Sequence, residues 1–91
     1  MDYVGIITNF HWHPMVEFMP SILQLEVKVL ADGIIRTTEE HGSIPYLSAK
    51  YGFIVDGNNY DFTSVVGRKC RIRSSPDDFY LQFVRFTNSQ D

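Results

Sequence analysis

The chain has 91 residues, enough for one domain with one compact core. Its formal net charge is −3 and its hydrophobic content 44%, which excludes a disordered tail and a protein that coats nucleic acid by bulk charge. The single cysteine, Cys70, excludes an intrachain disulfide and the cysteine-based zinc spacings, and it fits a reducing, cytoplasmic setting.

The first residues lack a basic start and an apolar run, so no signal peptide is expected. Nothing approaches the ~20 apolar residues of a membrane span, so no membrane partner is expected either. Residues 3–10 are β-branched and aromatic and read as a strand, with Gly5 marking a bend or bulge. Residues 11–20 hold His11, His13, Pro14 and Pro20 and read as a loop. Residues 22–30 alternate: Leu23, Leu25, Val27 and Val29 face one way, Gln24, Glu26 and Lys28 the other. Asp32-Gly33 predicts a hairpin turn, and Ile34 to Glu40 return as a third strand.

Ser43 is placed to cap a short helix over Ile44–Tyr51, with Pro45 in its first turn and Gly52 as its terminator. Phe53-Ile54-Val55 is a brief apolar run, Asp56 to Asn59 a turn cluster, and Asp61 to Val66 a single helical turn. Lys69 to Arg73 predicts a fourth strand, Ser74 to Asp78 a reversal, and Phe79 to Phe86 a fifth strand. Residues 87–91 read as a polar tail. The fold class is therefore mainly β: a five-stranded OB-like Greek-key barrel, or a small β-roll, with one short helix between strands 3 and 4.

The basic strand carries the functional signal. Lys69, Arg71 and Arg73 alternate and project from one face, while Cys70 and Ile72 project from the other, toward the core. Two residues of strand rise put successive cations ~7 Å apart, close to the phosphate spacing of an extended single strand. The competing reading is a solvated face paired with Glu26, Glu39 or Glu40 across the sheet.

The helix, Gly52, and the run Asp61-Phe62-Thr63-Ser64-Val65-Val66-Gly67-Arg68-Lys69-Cys70-Arg71-Ile72-Arg73 together carry a resemblance. This stretch resembles small OB-type domains of phage and prophage DNA-metabolism proteins. In them a helix ends, a valine-valine-glycine-basic step follows, and an alternating strand begins. The likeness covers about a third of the chain. It implies binding of single-stranded nucleic acid.

On the fifth strand Phe79, Leu81, Phe83 and Arg85 share one face, and Tyr80, Gln82, Val84 and Phe86 the other. Neither face is polar, so core, oligomer interface and base-stacking platform all remain open. The nucleic-acid reading assigns phosphates to Lys69, Arg71, Arg73 and Arg85, and stacking to Trp12 and Tyr80, with Phe79 a further stacking candidate. Tyr80 beside Arg71 is the expected pair.

Trp12, Met15, Val16, Phe18 and Met19 make the first loop unusually apolar; it either covers the barrel end or meets a protein partner. That supports the rival reading, a protein-interaction or assembly module acting through the Trp12–Pro20 loop and the last strand, as a homo-oligomer or with another protein. His11 and His13, with Glu17 or His41, have no spacing that fixes a third metal ligand, so no metal or other cofactor is expected. No nucleophile motif or phosphate loop occurs, and no catalytic residue is assigned.

Overall fold

Period-two alternation builds the centre of the molecule. The computed structural model describes residues 1–15, 18–75 and 81–87. Its elements run β1 (Asp2–His13), β2 (Ser21–Val29), β3 (Ile35–Gly42), α1 (Ile44–Tyr51), β4 (Ile54–Asp56), β5 (Asn59–Asp61), β6 (Lys69–Ser74) and β7 (Leu81–Phe86). Five strands form one antiparallel sheet in the order β3-β2-β1-β6-β7, while β4 and β5 form a separate small hairpin. The edge strands β3 and β7 pack beside one another, but among the described residues no ladder joins them. The fold is mainly β, with a sheet that curls without closing.

On β2, Leu23, Leu25, Val27 and Val29 are all buried, as their spacing requires. They meet Ile7 from β1, Cys70 and Ile72 from β6, and Phe83 from β7 in one core. Gly33 turns the β2–β3 hairpin at φ 71°, and its N–H donates to Val29 O at 2.8 Å. Asp32 Oδ1 accepts from the Ile34 N–H at 2.9 Å, which fixes the same turn.

The first strand runs farther than its sequence suggests. Residues 11–13, expected in a loop, stay on the ladder: His11 opposes Gln24, Trp12 opposes Leu23 and His13 opposes Ile22. A bulge between Ile7 and Asn9 makes this possible. One extra residue, Thr8, resets the alternation so that Phe10 and Trp12 pack against the core while His11 and His13 face solvent. Gly5 is therefore not the bulge. A Cβ there would lie 2.5 Å from Val27 Cγ1 and 2.7 Å from Lys28 O, so glycine serves close packing of β1 on β2.

Helix α1 forms where its caps place it. Ser43 Oγ accepts from the Tyr46 N–H at 3.2 Å. Gly52, at φ 81°, ends the helix by donating its N–H to Ser48 O at 2.8 Å. Leu47 and Tyr51, one turn apart, are its buried residues. Phe53 to Asp61, expected as an apolar run and a turn, contains the β4–β5 hairpin with Gly57 at its tip (φ 59°). The single turn expected after Asp61 is present, with Val65 and Val66 N–H groups donating to Phe62 O at 2.9 and 3.2 Å.

The last strand departs from simple alternation. Arg71 opposes Arg85 but Ile72 opposes Phe83, so Val84 is an extra residue. Leu81, Phe83 and Phe86 therefore belong to the core, and Gln82 and Arg85 are exposed. Arg85 thus leaves the face it was expected to share with Phe83. The start of the expected fifth strand, Phe79 and Tyr80, lies outside the described residues, as do Pro76 to Asp78 of the reversal, Val16 and Glu17 of the first loop, and residues 88–91 of the tail.

Candidate functional site

The register of β6 against its neighbours places the basic row on the outer face of the sheet. Cys70 and Ile72 are fully buried, so Lys69, Arg71 and Arg73 project outward from between and beside them. On β1 their opposite residues are Ile6, Val4 and Asp2. On β7, Arg71 faces Arg85 and Arg73 faces Gln82. The four cations proposed from sequence thus stand on two adjacent strands.

Arg73 is paired with an acid on β1, and Arg85 Nη1 donates to the Phe86 carbonyl at 3.3 Å. Arg73 Nε donates to Asp2 Oδ1 at 2.8 Å and its Nη2 donates to Asp2 Oδ2 at 3.2 Å, a bidentate pair. That hydrogen bond, reinforced by the charges of Arg73 and Arg71, holds the Asp2 carboxyl below its ordinary value and raises Arg73. The acids expected to neutralise the row are engaged elsewhere. Glu26 Oε2 accepts from Asn9 Nδ2 and lies 2.9 Å from His11 Nε2. Glu39 accepts from Gln24 and lies 2.9 Å from His41 Nε2.

Glu40 faces the helix instead. Its carboxylate accepts from Tyr46 OH at 2.9 Å, from Lys50 Nζ at 2.9 Å and from Tyr51 OH. Burial alone would raise Glu40, but the hydrogen bonds from Lys50, Tyr51 and Tyr46 outweigh it and hold the carboxyl below its ordinary value. The Tyr51 hydroxyl is pushed strongly upward, first by burial and then by its bond to the Glu40 carboxylate. This cluster locks α1 onto β3 and contributes nothing to the basic face.

Trp12 does not share the face of the basic row. Its ring packs 5.1 Å from Phe53, 5.3 Å from Tyr60 and 5.7 Å from Phe62, and its Nε1 is buried without a hydrogen-bond partner among the described residues. Tyr80, proposed as the companion of Arg71, lies outside the described residues. Arg68 is not part of this row: its guanidinium lies 3.7 Å from the centroid of the Phe86 ring, which packs against the core.

Sequence reasoning missed a groove formed by β1, β5 and the turn that follows β5. Phe10, Tyr60, Asp61, Phe62, Thr63 and Val66 line an open cavity of about 330 Å³. Phe10 and Phe62 stack at 4.3 Å with their planes 19° apart. Its assembly depends on the β1 bulge, which points Phe10 inward, and on the turn after β5, which Gly67 holds by donating its N–H to Ile7 O at 2.7 Å. The alternation break of the bulge leaves no local mark in the sequence.

The first loop exposes apolar side chains: Phe18 is fully exposed and Met19 largely so, while the Met15 N–H donates to Ser21 Oγ at 3.0 Å. Cys70 is buried, which pushes its thiol up to about 11 and leaves it a weak nucleophile. Among the described residues no group of three or more His, Cys, Asp or Glu side chains is arranged to hold a metal ion, and no helix is long and apolar enough to cross a membrane. Comparison with protein-family models, curated proteins and solved structures gives no match.

Proposed function

We propose that the chain is a non-catalytic binding module of OB-like barrel architecture that holds a single-stranded nucleic acid along the outer face of β6 and β7. The architecture is supported by the strand order. A long, bulged first strand lies at the centre, the helix falls between β3 and the strands that return, and the two edge strands approach each other. The resemblance of residues 44–73 to small OB-type domains of phage DNA metabolism points the same way.

The observation that carries the ligand class is the register of Arg71 opposite Arg85. Like charges directly opposed across a sheet destabilise it, so a face that keeps two guanidiniums in register beside Lys69 is suited to an anionic ligand. Cations ~7 Å apart along a strand match the phosphates of an extended single strand. In this reading Lys69, Arg71 and Arg85 contact phosphates, and Arg73 joins them when Asp2 releases it. Tyr80 adjoins β7 in sequence and remains a proposed stacking residue, while the place beside Arg71 belongs to Arg85; Trp12 acts from behind, as a wall of the aromatic cluster.

Fluorescence anisotropy with short single-stranded DNA and RNA at two salt concentrations tests this. Each neutralised phosphate contributes a slope of about −0.7 in log affinity against log salt, so three contacts give roughly −2. Absence of binding at low salt would sink the proposal.

The exposed Phe18 and Met19 favour a second reading, an assembly or protein-recruitment module acting through the first loop. Light scattering separates the two. A concentration-dependent mass that Phe18→Ser abolishes, with no nucleic-acid binding, would favour assembly.

A further inference from the structure

We propose that the groove lined by Phe10, Tyr60, Asp61, Phe62, Thr63 and Val66 is a nucleobase pocket that selects bases presenting an amino group to Asp61. This rests on the nucleic-acid reading of the basic face and adds a base preference to it. The groove's volume, about 330 Å³, lies at the small end of ligand sites and suits a single ring system. Three aromatic rings supply flat apolar walls, the chemistry on which unpaired bases stack.

Asp61 supplies the selectivity. The Thr63 N–H and Oγ1 both donate to Asp61 Oδ1, at 2.9 and 2.6 Å. These two bonds fix the carboxylate, and Oδ2 accepts from no described residue. The same hydrogen bonds hold the carboxyl below its ordinary value, so it is an anionic acceptor at neutral pH. A carboxylate accepts from the exocyclic amine of cytosine, as it does in duplex recognition. Uracil and thymine place a carbonyl oxygen at the same position, which a carboxylate repels.

Charge also orients the strand. Beyond Asp61 lies a second cavity of about 220 Å³ lined by Ile54, Asp56, Asn59, Tyr60 and Asp61, and its two acids disfavour phosphate. A base therefore enters with its amino edge toward Asp61 and its sugar-phosphate away from these two acids.

The test compares short deoxycytidine and deoxyuridine oligomers, which differ in whether position 4 carries an amine or a carbonyl. Affinities are measured by anisotropy at low salt and neutral pH. The intact protein is expected to bind the cytidine oligomer roughly tenfold more tightly, the worth of one hydrogen bond to a charged group. Asp61→Asn keeps an acceptor for Thr63 and exchanges the anionic oxygen for a neutral amide, so the preference should vanish while the salt slope stays. Val66→Trp, at an exposed position, should fill the groove and weaken both oligomers. Equal affinities in the intact protein, or a preference that survives Asp61→Asn, would overturn the pocket while leaving the basic face standing. Binding of neither oligomer would overturn both.

Discussion

Removing the Glu40 carboxylate should unlatch the helix from the sheet. In the folded protein that group accepts hydrogen bonds from Tyr46, Lys50 and Tyr51. Tyr51 is 1% exposed, so Glu40→Ala leaves its hydroxyl buried without that acceptor. A buried polar group stranded in this way costs about 1–3 kcal/mol. Lys50, with its side chain 30% exposed, recovers part of its hydration and adds less. The expected loss is about 2–3 kcal/mol, against a total of roughly 5–14 kcal/mol for a chain of this length. Urea denaturation followed by tyrosine and tryptophan fluorescence measures it, with Glu40→Gln as the milder control that keeps an acceptor and the side-chain volume.

The pH dependence follows from the direction of the Glu40 shift. Because folding lowers its pKa, its contribution is complete above the unfolded carboxylate's value, ~4.3, and is lost as pH falls through the lower folded value. Glu40→Gln should flatten the acid side of the stability profile in that window. An alanine variant within ~0.5 kcal/mol of the parent would refute the reasoning, since surface substitutions without a structural role behave that way.

Gly5→Ala should destabilise the fold by about 1–3 kcal/mol in a thermal melt, because one of its clashes is with the Lys28 carbonyl, a backbone atom that has no other rotamer. Asp2→Asn should free Arg73 and steepen the salt dependence of single-strand binding by about 0.7, whereas Arg71→Gln should make it shallower by the same amount; both are read by anisotropy titrations. Cys70 should resist a thiol-specific chromogenic reagent at pH 8 in the folded protein, because its thiol is buried and its pKa lies near 11, and react promptly in denaturant; fast reaction in the native state would contradict its placement.

Local rules made part of this molecule legible. The alternation of β2, the Asp32-Gly33 turn and the Ser43 and Gly52 caps of α1 depend on neighbours within a few residues, and all are present where the sequence placed them. The inward Cys70 and Ile72, and hence the outward basic row, follow from the same period of two. What escaped depends on distant pairings. Arg73 finds Asp2 because β1 and β6 align across most of the chain, so Glu26, Glu39 and Glu40 were the wrong acids to expect. The two bulges reverse the facing of Phe10, Trp12 and Arg85 by inserting Thr8 and Val84, residues with nothing in their own chemistry to announce it. The groove beside Asp61 depends on the first of these bulges.

The position of β1 at the centre of the sheet sets an order of assembly. Its partners β2 and β3 follow it directly, but its other neighbour is β6, and the bond from the Ser74 N–H to Met1 O spans nearly the whole chain. During synthesis the first three strands can form a meander while one flank of β1 still lacks its ladder. Loop closure over so long a separation is slow, and an unpaired flank is open to another nascent chain. Pulsed hydrogen exchange should find the amides that join β1 to β2 protected before those that join β1 to β6. Simultaneous protection would instead mean that the sheet is completed in one cooperative step. Residues 69–74 therefore carry a second duty: the strand that displays the basic row also closes the open flank of the first one made.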